Sequence, residues 1–223
     1  MKTSLLFIPF ILLFFFACDS NKKDADTKEN STSKDSASSV KKKTIVFFGN
    51  SLTAGYGLNP SQAFPALIQN KIDSLGLAYN VINAGVSGET SSGGNARIDW
   101  ILREPVDVFI LELGANDGLR GIPLAETRKN LQAIVEKVKL KYPSVLQVIA
   151  GMQIPPNMGQ KYSNEFRNIF PELAAKNGMT LIPFILEGVG GEEKLNQQDG
   201  IHPTEEGHRI IAENIWQVLK PIL

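Results

Sequence analysis

The chain has 223 residues, 43% hydrophobic and 21% charged, enough to bury a sizeable core in one domain. Lysine plus arginine number 23 and aspartate plus glutamate number 23, so no basic field is available to gather phosphates and no nucleic-acid partner is expected. The one cysteine, Cys18, excludes an internal disulfide and any cysteine-ligated zinc or iron–sulfur site.

In chain order, residues 1–17 read as a targeting segment. Lys2 is followed by LLFIPFILLFFFA, thirteen apolar residues, short for a membrane span and suited to the h-region of a secretory signal. Ala17 then precedes Cys18, an arrangement similar to a bacterial lipoprotein signal, which implies cleavage before a lipidated Cys18. An ordinary secretory signal or an uncleaved anchor is the alternative, and each of these readings puts the domain outside the cytoplasm. From residue 19 to 43 there is no aromatic residue and almost nothing aliphatic. Such a segment cannot offset its ordering entropy, so residues 18–43 are expected to form a disordered tether. A flexible chain of that length spans roughly 25–30 Å end to end.

Residues 44–223 form the expected domain. Five β-rich runs stand out at 44–49, 79–83, 106–113, 145–151 and 180–183. Between them lie helical spacings such as Ala63, Leu67, Ile68 and Ile72, or Leu131, Ile134, Val135 and Val138. The strands are continuously apolar, as strands buried on both faces are, and their alternation with helices predicts a parallel α/β sheet. The last helix, 204–219, is predicted to present Ile210, Ile211, Ile215, Val218 and Leu219 to that sheet.

Four clusters break the pattern at strand ends or helix starts: GNSLTAGYG (49–57), NAGVSGETS (83–91), LGANDGLRG (113–121) and DGIHP (199–203). The first three follow the first three strands and so reach the same sheet edge, where open α/β sheets hold ligands. Taken singly, each cluster also reads as a turn or a helix N-cap.

Taken together they hold the parts of a serine hydrolase: a nucleophile, a base, a group to orient the base, and donors for an oxyanion. Of the two histidines, His208 lies inside the last helix, and its replacement is expected to be close to neutral. His202 sits in a turn with Asp199 three residues before it, where the carboxylate can reach Nδ1 and leave Nε2 free to accept a proton. Ser51 is then the candidate nucleophile, His202 the base and Asp199 the orienting acid. The N–H of Ser51, the N–H of Gly88 and the side-chain amide of Asn116 are the candidate oxyanion donors.

The four clusters resemble the four blocks of the SGNH (GDSL-type) hydrolase family: FFGNSLTAGYG, NAGVSGETS, LELGANDGLRG and QDGIHP. The similarity covers nearly all of 44–223 and is nearest to a bacterial periplasmic subgroup of multifunctional thioesterases, lysophospholipases and arylesterases. It implies a three-layer α/β/α flavodoxin-like fold with a five-stranded parallel sheet, no metal or cofactor, and the roles just given to Ser51, Gly88, Asn116, Asp199 and His202. One position departs from the family pattern. The usual block reads Gly-Asp-Ser-Leu, and Asn50 stands where the aspartate would be. That aspartate is not the triad acid, so the change is expected to spare the proton relay and to alter the hydrogen bonding that places the serine loop.

For substrate, GLRGIP (118–123) and MQIPPNMG (152–159) are expected to line a shallow apolar groove, with Leu119, Ile122, Ile154 and Pro155 facing an acyl chain. The reading is a monomeric ester hydrolase acting on acyl esters and held to a membrane through Cys18. A carbohydrate O-acetyl esterase and a non-catalytic surface binding lipoprotein are the alternatives.

Overall fold

The computed structural model describes residues 41–223. The expected signal segment, Cys18 and all but the last residues of the tether lie outside the described residues.

Five strands form one parallel sheet: β1 (Lys43–Gly49), β2 (Tyr79–Gly85), β3 (Val108–Glu112), β4 (Leu146–Ala150) and β5 (Thr180–Ile182). Their order is β2-β1-β3-β4-β5. The helices are α1 (Ser51–Ala54), α2 (Phe64–Ser74), α3 (Ser91–Ile101), α4 (Ala115–Leu119), α5 (Leu124–Lys141), α6 (Gln160–Asn177) and α7 (Glu205–Leu219). This is the flavodoxin-like order, in which the chain leaves β1 to one side for β2 and to the other for β3. The crevice at that reversal opens at the carboxyl ends of β1 and β3, where Gly49 pairs in register with Gly85 on one side and Glu112 on the other.

The core follows from the apolar runs. In β1, Ile45, Phe47 and Phe48 are fully buried, and β3 is buried along its whole length, as central strands covered on both faces must be. Phe47 packs edge-on to Phe64 of α2, and Phe166 packs edge-on to Phe170 within α6. Two expectations need correction. The strand β2 is not continuously buried: Ile82 is exposed, because β2 lies at the edge of the sheet. In α7 the buried face is Gly207, His208, Ile211, Ala212, Ile215, Trp216 and Leu219, while Ile210 and Val218 are only half-buried at its margin. Thr204 caps α7 by accepting the Gly207 N–H, so the helix begins one residue after the predicted start.

Candidate active site

Ser51 is the first residue of α1, directly after β1. Asn50 is the N-cap of that helix: its Oδ1 accepts the Leu52 N–H at 2.9 Å. As the first residue of the helix, Ser51 has no intrahelical partner for its N–H.

His202 and Asp199 sit in the loop that leads into α7. An isolated antiparallel bridge between Asn196 and Pro203 closes the loop, and the Gln197 N–H donates to the His202 carbonyl at 2.7 Å. Within it, Asp199 Oδ1 accepts the N–H groups of Ile201 and His202, and Asp199 Oδ2 lies 2.6 Å from His202 Nδ1. The backbone and side-chain hydrogen bonds from His202 hold the Asp199 carboxyl down to about 2. An ionised carboxylate only accepts, so Nδ1 carries the proton and Nε2 is left as an acceptor. Across the crevice, Ser51 Oγ lies 2.9 Å from Nε2. The structure thus brings Ser51, His202 and Asp199 into one hydrogen-bonded row. A hydroxyl, an imidazole and a carboxylate so arranged can pass a proton from oxygen to nitrogen while the carboxylate stabilises the imidazolium.

Gly88 lies on the exposed loop after β2 with φ +78°, a left-handed conformation that suits glycine. Its carbonyl accepts from Arg120 at 3.0 Å, and its N–H meets no acceptor among the described residues. Asn116, in α4, donates one amide hydrogen to the Glu89 carbonyl at 2.9 Å, which leaves the other free. The amide is thereby tied to the loop that carries Gly88.

The expected apolar groove is only partly there. Leu119 is exposed, Pro155 is exposed and Ile122 is half-buried, but Ile154 is 8% exposed and belongs to the core. Its methyl group packs against Gly118, where an added Cβ would come within 2.6 Å, so Ile154 supports α4 from the core. Tyr56, Val86 and Ile201, from the loops of the serine, glycine and Asp-His clusters, are exposed at 51%, 45% and 49%. The Tyr56 ring lies 4.5 Å from the His202 ring, centre to centre.

Four further residues that hold these loops escaped sequence reasoning. Glu112, at the end of β3, is buried and accepts the Asn50 N–H, Asn50 Nδ2, the Thr53 N–H and Thr53 Oγ1. Asp117 accepts the N–H and the hydroxyl of Ser91, joining α4 to the start of α3. Arg97 grips Glu89 with two nitrogens at 2.5 and 2.6 Å, donates to the Ala84 carbonyl and lies over the Phe48 ring. Gln197 Nε2 donates to the carbonyls of Tyr56 and Pro203, tying the serine loop to the histidine loop. His208 is apart from all of this: it is 1% exposed, and burial pushes its imidazole down to about 4. Among the described residues no three His, Cys, Asp or Glu side chains are grouped to hold a metal ion.

A family model described as GDSL-like Lipase/Acylhydrolase matches residues 47–210. The chain is 40% identical over 181 residues to Esterase TesA of Pseudomonas aeruginosa, covering 81% of this chain and 89% of that protein. It is 36% identical over 181 residues to the Thioesterase 1/protease 1/lysophospholipase L1 of Escherichia coli K12, covering 81% and 85%. Among solved structures, that of TesA superposes with a TM-score of 0.78 at 39% identity, over 81% of this chain and all of that one. The esterase AlinE4 gives 0.67 at 38% identity, over 82% and 97%. A family match over most of the chain, relatives at this identity and a shared five-stranded sheet lead to one conclusion: the chain belongs to the GDSL-like lipase/acylhydrolase (SGNH hydrolase) family and is an ester hydrolase of it.

Proposed function

We propose that this protein hydrolyses carboxylic acyl esters outside the cytoplasm through an acyl-enzyme on Ser51. The observation that carries the reading is the row from Asp199 Oδ2 through His202 to Ser51 Oγ, with contacts of 2.6 and 2.9 Å. In the first half-reaction Ser51 Oγ bonds to the acyl carbon while its proton passes to His202 Nε2, and Asp199 stabilises the imidazolium. The N–H groups of Ser51 and Gly88 and the free amide hydrogen of Asn116 bind the oxyanion. Collapse breaks the bond to the leaving alkoxide or thiolate, which takes the proton from His202. Water then attacks the acyl-serine by the same relay, and the acid departs.

The exposed apolar residues on four loops around the row, Tyr56, Val86, Leu119 and Ile201, favour an acyl chain over a sugar. No helix among the described residues is long and apolar enough to cross a membrane. In this reading Cys18, at the end of the apolar segment, is acylated and holds the protein at a membrane, with the tether giving Ser51 reach to acyl esters in or near the bilayer. Three other proteins named for esterase, arylesterase or thioesterase and lysophospholipase activity at 36–40% identity support the reaction class.

The test is turnover of nitrophenyl esters from acetyl to long-chain, and of thioesters and lysophospholipids, by residues 44–223 with and without Ser51→Ala. Wild type is expected to turn over and to be labelled on Ser51 by a fluorophosphonate. Residual activity in Ser51→Ala above about one part in a thousand overturns the nucleophile assignment. A strict preference for acetyl groups replaces the acyl-chain reading with the acetyl esterase one.

A further inference from the structure

Asn50 and Glu112 meet because β1 and β3 are neighbours in register, which sets Gly49 opposite Glu112. Glu112 is 1% exposed, and the cradle around it leaves no slack: a Cβ on Gly49 would come within 2.5 Å of Glu112 Oε2 and 2.1 Å of Thr53 Oγ1. Its carboxylate accepts four hydrogen bonds, all from residues that flank Ser51. Oε1 takes Asn50 Nδ2 at 2.8 Å, and Oε2 takes Thr53 Oγ1 at 2.8 Å, the Asn50 N–H at 3.2 Å and the Thr53 N–H at 3.3 Å. Three of the partners are N–H donors and the Thr53 hydroxyl can donate as well, so the array suits an ionised acid. Asn50 meanwhile passes the constraint on, since its Oδ1 accepts the Leu52 N–H and lies 3.4 Å from Ser51 Oγ.

Resting on the reading of Ser51 as nucleophile, we propose that Glu112 is a positioning residue for it: the buried carboxylate clamps residues 50–53, and the Asn50 amide supplies the clamp with a hydrogen that never titrates. An aspartate at position 50 would set two carboxyl oxygens against each other where the 2.8 Å N–H···O bond now runs, and one proton would have to lie between them. Asparagine removes that proton from the cycle. Burial outweighs the four donors and leaves the Glu112 carboxyl raised to about 7. The charged and titratable groups on the elements around it are occupied elsewhere. Arg97 of α3 reaches the Gly49 carbonyl at 3.4 Å but is held by Glu89, Asp117 of α4 is held by Ser91, and His202 faces Ser51.

The experiment is a swap. Glu112→Gln alone sets an amide nitrogen against a donor in either orientation, and kcat is expected to fall about ten- to a hundredfold with KM within about threefold, since a small displacement of the nucleophile costs rate and not affinity. Adding Asn50→Asp reverses the amide–carboxylate pair and restores every bond: the amide on β3 donates to the new carboxylate, and its oxygen keeps the three donors of Oε2. That double variant is expected to recover kcat to within about fivefold of wild type. Asn50→Asp alone is isosteric and reads the clamp even where Glu112→Gln does not fold. Its kcat profile gains a loss on the alkaline side that wild type lacks, as the shared proton leaves. Wild-type kcat in folded Glu112→Gln, a double variant no faster than Glu112→Gln, or an Asn50→Asp profile that superposes on wild type overturns the proposal. Turnover by Ser51→Ala in the same assay would instead overturn the nucleophile, leaving the two failures distinguishable.

Discussion

The Phe64 N–H donates to Nδ1 of His208 at 3.1 Å, and the two rings stack at 5.7 Å between centres. A histidine at this place in α7 satisfies a backbone donor at the start of α2, in a buried setting, with no hydrogen bond to the Ser51 row.

His208→Ala is therefore expected to leave kcat per folded molecule near wild type while destabilising the protein by about 2–4 kcal/mol, from a lost ring and an unsatisfied N–H. The expectation of near-neutrality concerns hydrolysis and is kept; the cost falls on stability. Denaturant midpoints with an unchanged m-value give the stability, and activity below the midpoint gives the chemistry.

The same group sets an acid limit. His208 is held down to about 4 in the folded state against 6.5 for the ordinary imidazole, so between those values the unfolded chain binds the extra proton and stability falls as pH falls. Asp199, held at about 2 against 3.8, acts in the same direction in its lower window. Melting curves from pH 7 to 4 should show the loss, and His208→Gln should flatten it above pH 4. An unchanged slope would mean another group carries it.

Asn116→Ala is expected to lower kcat about a hundred- to a thousandfold with a smaller change in KM, the signature of a donor used in the transition state. A raised KM at unchanged kcat would make Asn116 a substrate-binding residue.

Arg97→Ala strands Glu89, whose side chain is 7% exposed, and is expected to cost about 2–4 kcal/mol of stability. Because the Glu89 carbonyl orders the Asn116 amide, kcat should fall as well, by about tenfold. Urea unfolding and steady-state kinetics on one preparation separate the two effects.

Leu119→Ser and Ile154→Ala should part company. The first removes exposed apolar surface and is expected to raise KM for long acyl chains over short ones by about tenfold, at roughly 0.8 kcal/mol per buried methylene. The second opens the core beneath Gly118 and is expected to lower stability by about 2–4 kcal/mol. Equal effects of Leu119→Ser on acetyl and long-chain esters would place the acyl chain elsewhere.

The sheet was readable because β1, β3 and β4 are short apolar runs that alternate with amphipathic helices, and the site region because three polar clusters follow strands and the fourth leads into the last helix. Glu112 was not readable. Within VFILELG it looks like one charge at a strand end, and its meaning comes from the β1–β3 register, a property of strand order that no local spacing encodes. Ile154 was misread for the complementary reason: next to prolines it looks like a loop residue, but the neighbouring glycine-bearing helix leaves a hollow that its side chain fills together with the Phe166 ring. Arg97 and Gln197 lie outside the four clusters, and Asp117, though inside the third, gives no local sign of its partner Ser91, 26 residues away.

The two contacts of the Ser51–His202–Asp199 row differ greatly in chain separation: three residues between Asp199 and His202, and 151 between His202 and Ser51. The carboxylate–imidazole pair can form inside its own closed loop as soon as that loop folds. The serine contact requires the first strand and the start of the last helix to come together, the slowest kind of closure for a chain to make. Regain of turnover after dilution from denaturant thus marks the moment the two ends of the domain meet. Spectroscopic recovery of helix, built from local contacts, is expected to precede it.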